Sequence, residues 1–437
     1  MSDETPTLRR ELGRWDVTAI GVNQVIGSAL FVQPALLAAL VGAWSPWLFA
    51  GIGILSMLIA LSFAEVSSRF EATGGPYLYT RAAFGRFAAF EVGWMMWFTR
   101  ATSWAAVINV LAMAVGFYWP SVTIGWPRAL LISAIIATIA WINVRGIRQS
   151  RFVVNALTIG KLVPLVIFIV CGIFAIDASR LVPEGELTFA SVSSAVLLLI
   201  FAFGGYEIVP VTAGETRDPR RVVPFALVMT IVIVSIVMTF AQIVALGTLP
   251  GLAQSKTPLA DSAASFLGAA GAALITVGAV FSTSGNNMGQ ALSGSRNLFA
   301  LAEQGDLPAF FGRVHPRYRT PATAIVVTAS VALALALSGT FARLALVSAV
   351  SRLIVYVFTC AATLRLRQPA FTSVVKPAAF VVPFGPLVPT LATLIALATL
   401  AGARGEQLVA GSIALAVGAV LFVIASRATS SKELKTA

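Results

Sequence analysis

Apolar residues dominate this chain in blocks too long for the core of a soluble protein. Windows of about 20 apolar residues, the length that crosses a bilayer as a helix, predict twelve spans. They lie near 17–41, 46–68, 87–118, 127–145, 152–177, 191–213, 222–248, 264–300, 322–338, 342–366, 376–402 and 407–426. Most polar positions fall between these blocks, and the longest polar stretch runs from 301 to 321. Two spans carry polar and small residues at their centres. The first is interrupted at Asn23-Gln24-Val25-Ile26-Gly27-Ser28-Ala29, the sixth at Phe203-Gly204-Gly205-Tyr206-Glu207. Unwound backbone leaves N–H and C=O groups free, and hydrocarbon tolerates them only around a buried or wet cavity. Gly-interrupted segments at matching positions in two halves imply a secondary transporter with its substrate site at the breaks.

Composition narrows the class. The 437 residues are 58% hydrophobic and 11% charged, against about 25% charged in soluble domains. We expect one all-α membrane transport domain over 1–437, with no room for a soluble catalytic domain. The few charged groups inside spans form no nucleophile–base pair and no metal set, and no phosphate-binding loop motif occurs, so an enzyme, a metal and a cofactor are not expected. A channel is disfavoured by the lack of a filter-like loop. Cys171 and Cys360 lie in apolar spans and read as packing residues. The one histidine, His315, falls in the polar stretch, which excludes a membrane-buried histidine relay. The first span runs about 25 residues with no small-residue cleavage site, so it reads as a retained helix rather than a signal peptide.

The net charge of +12 does not imply nucleic acid, because no basic run is interleaved with aromatics. With the N-terminus inside and the spans alternating, the seven inner segments hold 22 of the 30 Lys and Arg, from Arg9, Arg10 and Arg14 to Arg427, Lys432 and Lys435. The outer loops hold five: Arg128, Arg180, Lys256, Arg343 and Arg404. This bias places both termini in the cytoplasm, and the helical spans themselves imply the cell membrane. Five spans separate the two breaks, an odd number, so the second half enters the bilayer from the opposite side. The expected architecture is a five-plus-five inverted repeat, 17–177 and 191–366, followed by helices 11 and 12 over 376–426.

Particular residues then match a family. Ile26-Gly27-Ser28-Ala29-Leu30-Phe31 resembles the Ile-Gly-Ser-Gly-Ile-Phe signature of the amino acid–polyamine–organocation superfamily. Phe63-Ala64-Glu65, Gly74-Gly75-Pro76-Tyr77-Leu78-Tyr79, Phe201 to Glu207, Gly214-Glu215-Thr216-Arg217-Asp218-Pro219 and Arg296 to Pro308 agree with it. The resemblance covers about residues 12–367. It implies the leucine-transporter-type fold and an amino acid or amine as substrate. Ala29 stands where the family usually has Gly, and its methyl group narrows the approach.

The residues at the breaks suit such a ligand. The half-helix starting at Gly27-Ser28-Ala29 presents unpaired N–H groups and the positive end of its dipole to a carboxylate. Gln24 and Ile26 complete this border. In the sixth span, the unwound stretch from Phe201 through Ala202, Phe203 and Gly204 to Gly205 is expected to expose carbonyls to a substrate ammonium, and Phe203 or Tyr206 caps the pocket or simply packs. Glu207 is expected to serve gating or coupling, or else a structural ion pair, because membrane carboxylates are rare.

Lys161 lies roughly 12–15 Å into a core about 30 Å thick. Burial disfavours the charged form of an amine, so a proton can exchange there near neutral pH. In proton-coupled members of the superfamily, a lysine on the fifth helix takes the place of a sodium ion between helices 1 and 8, and Lys161 resembles it. Ser282, Thr283 and Ser284 are candidate oxygen partners; permanent structural bonding to carbonyls is the competing reading. Arg100 and Arg352 also sit mid-span and need a carboxylate, carbonyls or a wet cavity; Glu65 and Glu207 are both open as partners. Arg100 reads as structural, unless it faces the pocket and binds a second carboxylate. Asn23, Gln24, Asn286 and Asn287 line the pathway or serve as interhelical glue. The expected function is import of an amino acid with a proton, a neutral side chain being favoured by the apolar lining. A proton-independent exchanger and a non-transporting nutrient receptor are the alternatives.

Overall fold

A computed structural model describes residues 10–72, 74–116, 119–146 and 151–436. Arg9 and Arg148, counted among the inner charges, lie outside them. The described residues fold into fourteen α-helices joined by short 3-10 turns, with one isolated parallel bridge between Leu12 and Thr216. The first apolar block becomes α1 (Arg14–Val25) and α2 (Ala29–Val41), split at the predicted break. Helices α3 (Ser45–Ser67), α4 (Pro76–Phe84), α5 (Arg86–Gly116), α6 (Gly125–Arg145) and α7 (Arg151–Gly172) complete the first half. The sixth block splits into α8 (Phe189–Phe203) and a 3-10 helix over Tyr206–Glu215. Then follow α9 (Pro219–Thr248), α10 (Pro258–Glu303), α11 (Ala322–Ser338), α12 (Phe341–Arg365), α13 (Leu387–Ala401) and α14 (Gly405–Thr436).

Nine described segments are long and apolar enough to cross a membrane, fewer than the twelve expected. The difference has a local origin. The short 3-10 turn Gly42–Trp44 runs α2 into α3, so Ala29–Ser67 counts as one segment, and α11 and α13 are apolar but only 17 and 15 residues long. Helix α10 is 46 residues long and kinks at Gly268, where φ is +65°.

Helix α5 forms the centre. It packs against α10 on one side and α12 on another, while α3 packs on α9 and α1 on α9, α7 and the 3-10 segment. Its side chains from Ala89 to Ala112 are buried almost without interruption. At the periphery the pattern inverts. Val409, Ile413, Val417, Val420 and Ile424 of α14 are exposed, a helical stripe of aliphatic residues that water would not tolerate and hydrocarbon accepts. The polar stretch after α10 is tied to the bundle at both ends: Asp306 accepts from Arg86 Nε at 2.6 Å and from the Tyr77 hydroxyl at 2.9 Å, and the Thr320 hydroxyl donates to Val144 O of α6 at 2.7 Å. His315 stays outside the spans and accepts the backbone N–H groups of Arg317 and Tyr318.

Candidate functional site: two facing helix breaks

At the first break, α1 stops because Ile26 leaves helical geometry, at φ −71° and ψ 84°. Carbonyls that a continuous helix would bond internally are then free, and side chains from two other helices take them. Lys161 of α7 donates to Asn23 O at 3.0 Å and to Ile26 O at 2.9 Å. Ser282 of α10 donates to the same Ile26 O at 3.1 Å, and Asn286 gives Nδ2 to Gln24 O at 2.9 Å. Lys161 is wholly buried. Thr283 instead turns back to its own helix, donating to Ala279 O, and Asn287 does the same to Thr283 O. Three polar atoms at the break, Asn23 Oδ1, Gln24 Nε2 and Ser28 Oγ, are buried without a hydrogen-bond partner. Ala29 opens α2 and is buried beside them.

At the second break, α8 ends at Phe203, Gly204 is extended, and Gly205 has φ +133°, a conformation open to glycine and costly for other residues. A Cβ on Gly205 would stand 2.8 Å from the Gln24 carbonyl group. The two breaks therefore meet backbone to backbone. Gly204 makes an even closer approach: a Cβ there would collide with the Arg352 guanidinium. Arg352 comes from α12 and donates Nη1 to Phe201 O at 3.3 Å, so a fixed cation already lies against one carbonyl of this break. The aromatic residues are packed in. Phe203 lies against Phe49 at 6.4 Å between centroids, and Tyr206 stacks on Tyr356 at 5.5 Å with its hydroxyl unpartnered. Phe201 meets Phe341 edge-on, and Ala202 is buried.

Glu207 is the polar hub beneath this break. Its Oε2 accepts from Gly205 N at 2.8 Å and from the Tyr356 hydroxyl at 3.3 Å. Its Oε1 lies 3.2 Å from Arg100 Nη2 and 3.3 Å from Arg352 Nε, with all three side chains no more than 3% exposed. Arg100 also donates to Gln290 Oε1, Gln290 to Asn286 Oδ1, and Asn286 to Gln24 O. A chain of polar contacts thus runs from the sixth-span break to the first. A cavity of about 10 Å³, room for roughly one water, opens among Met96, Thr99, Arg100, Glu207, Arg352 and Val355.

Of the two acids open as partners for the arginines, Glu207 takes both. Glu65 is held elsewhere, by Arg367 Nε at 2.6 Å and Val382 N at 2.9 Å. Two participants escaped the sequence reading, Gln290 and Tyr356. Each lies four residues beyond a polar residue already noted, Asn286 and Arg352, and so on the same helical face; that spacing was the available signal.

The chain matches the amino acid permease family over residues 12–430. It is 29% identical over 405 residues to the serine/threonine exchanger SteT of Bacillus subtilis, covering 90% of each chain. It is 26% identical to the branched-chain amino acid permease BcaP of the same organism, covering 96% of this chain and 94% of that one. A methylthioribose transporter, also from Bacillus subtilis, is 26% identical with coverage of 97% and 95%. With a family match running across nearly its whole length, this chain belongs to the amino acid permease family of the amino acid–polyamine–organocation superfamily and is a multi-pass membrane transporter, not an enzyme.

Proposed function

We propose that the protein is a secondary active transporter that imports an amino acid together with a proton. The substrate backbone sits between the breaks, its carboxylate at the start of α2 beside Gln24, Ile26, Gly27, Ser28 and Ala29, its amine toward Phe201, Ala202, Phe203 and Gly204 under Tyr206. The unpartnered Ser28 hydroxyl and Gln24 amide supply donors there. Twelve helices in a five-plus-five inverted repeat, with both termini cytoplasmic, is the arrangement that accords with the loop charges.

The observation that carries the coupling is the Lys161 amine on Asn23 O and Ile26 O. A protonated amine ties α7 to the unwound turn and, through the shared Ile26 carbonyl, to Ser282 of α10. A neutral amine has fewer protons to donate and loses the charge. Protonation then favours one of two alternating conformations, which is all that coupling requires. Glu207, Ser282 and the next residue of α10, Thr283, belong to the moving parts. Exchange without a proton is the second reading, favoured by SteT being an exchanger.

Uptake into proteoliposomes separates them. An imposed inward proton gradient should concentrate substrate above its external level with no substrate inside. Uptake that needs internal amino acid and ignores the gradient would establish exchange.

A further inference from the structure

We infer that Arg100 and Arg352 form an anion site beside the second break, one that takes a single carboxylate or halide; its setting makes that group the side-chain carboxylate of an acidic amino acid. The inference rests on the reading that the breaks hold an amino acid, and it reverses the preference for a neutral side chain that the apolar lining suggested.

Charge is the first observation. Two guanidinium groups and one carboxylate are buried together, each no more than 3% exposed. Arginine remains charged at such sites, so the cluster carries one uncompensated positive charge, a costly state away from water. Glu207 has no capacity left to offset it. Its two oxygens already serve Arg100, Arg352, Gly205 N and Tyr356 OH. The remaining partner of Arg100, Gln290, is neutral. Glu65 is committed to Arg367, and Glu91 lies nine residues before Arg100 on α5, about 13 Å away along the axis and against Gly418 of α14.

Open donors are the second. Arg352 Nε faces Glu207 as a charge but makes no hydrogen bond, and the buried Thr99 hydroxyl has no partner either. Both residues line the same small cavity, together with Arg100. An anion placed there meets two arginines and a hydroxyl, with the Glu207 carboxylate on the same wall, and brings the cluster to neutrality. The cavity admits one oxygen-sized group, so a whole side chain enters only as the neighbouring helices part.

Position is the third. Arg352 lies on Gly204 and bonds Phe201 O. An anion held by Arg352 is therefore next to the backbone where the substrate amine is placed. A lysine or arginine side chain would add a second cation beside the α-ammonium and bring no anion to offset the cluster.

The test uses the purified full-length protein. Thermal shift and equilibrium binding are measured with L-glutamate, L-aspartate, L-glutamine, L-asparagine and L-arginine, each with and without added sodium chloride. We expect an acidic amino acid to bind at least tenfold more tightly than its amide, and L-arginine not to bind. In Thr99→Val, which leaves the arginines in place, that ratio should fall severalfold; in Arg352→Gln it should approach one. Should Arg352→Gln not fold, the wild-type ratio and Thr99→Val still decide. If acid and amide bind alike but added chloride stabilises the protein, the occupant is a free halide: the anion site stands and the acidic-substrate assignment falls. If chloride acts while no amino acid binds, the amino acid reading fails and the anion site survives. Amides or apolar amino acids binding as well as acids, with no chloride effect, would overturn the inference.

Discussion

Lys161 donates to the carbonyl of Ile26 at 2.9 Å, joining residues 135 positions apart in the chain at the point where the first span is unwound. The contact stabilises a broken helix and at the same time places a titratable group on it. Whether the tie holds or releases depends on one proton, and this relation drives the first prediction.

Lys161→Ala should lose gradient-driven accumulation while binding of substrate survives. The variant leaves Asn23 O without its side-chain donor, at a cost of about 1–3 kcal/mol for a group left unsatisfied, while Ile26 O keeps the Ser282 hydroxyl, so its thermal midpoint should also drop. Proteoliposome uptake under an imposed proton gradient is the measurement. Accumulation to the wild-type level, or sodium-driven uptake in the wild type, would remove Lys161 from coupling.

Gly205→Ala should destabilise the fold. The backbone there has φ +133°, and the added methyl would lie 2.8 Å from the Gln24 carbonyl group. A strained residue of this kind costs about 1–3 kcal/mol, and the contact adds to it. A thermal unfolding curve indistinguishable from wild type would mean that the two breaks do not press together as described.

Glu207→Gln keeps the shape and removes the charge, leaving two buried arginines with no counter-ion. Removing one partner of a buried ion pair costs about 3–5 kcal/mol. The yield of monodisperse protein should therefore fall, and the folded fraction should transport with an altered pH dependence. Wild-type kinetics between roughly pH 5 and 8, the range where most proteins are best behaved, would confine Glu207 to a structural role.

Ala29→Phe should abolish uptake. Ala29 is buried at the first turn of α2, and overpacking such a site costs about 1–3 kcal/mol, which a well-packed bundle can survive. Binding measured on the folded variant decides: unchanged affinity would move the substrate away from the α2 N-terminus.

Glu65→Gln should loosen the far end of the bundle. Glu65 receives Arg367 and the Val382 N–H, joining α3 to the segment between α12 and α13. Hydrogen bonds to charged groups contribute about 1.5–3 kcal/mol. Limited proteolysis should cut between 368 and 386 faster in the variant than in wild type, with uptake specificity unchanged.

What the sequence determined by itself was local. Blocks of apolar residues specify helices, and the clusters around Gly27-Ser28 and Gly204-Gly205 interrupt two of them, so both breaks appear at the expected residues, whereas Gly294-Ser295 and Gly411-Ser412 stay inside helices. The depth of Lys161 within its span was legible for the same reason: distance along a helix is a fixed rise per residue. The division at Gly42–Trp44 was legible as well: spans ending near 41 and beginning near 46 match the end of α2 and the start of α3.

Tertiary structure alone decided the pairings. Both Glu65 and Glu207 could have met Arg100 and Arg352. The choice of Glu207, and of Arg367 for Glu65 across 302 residues, depends on how each helix is rotated and how deep it sits against its neighbours. The turning of Thr283 to Ala279 while Ser282 meets Ile26 is the same kind of fact. Helical periodicity states which residues share a face; it does not state which other helix that face meets, because that is set by packing of the whole bundle.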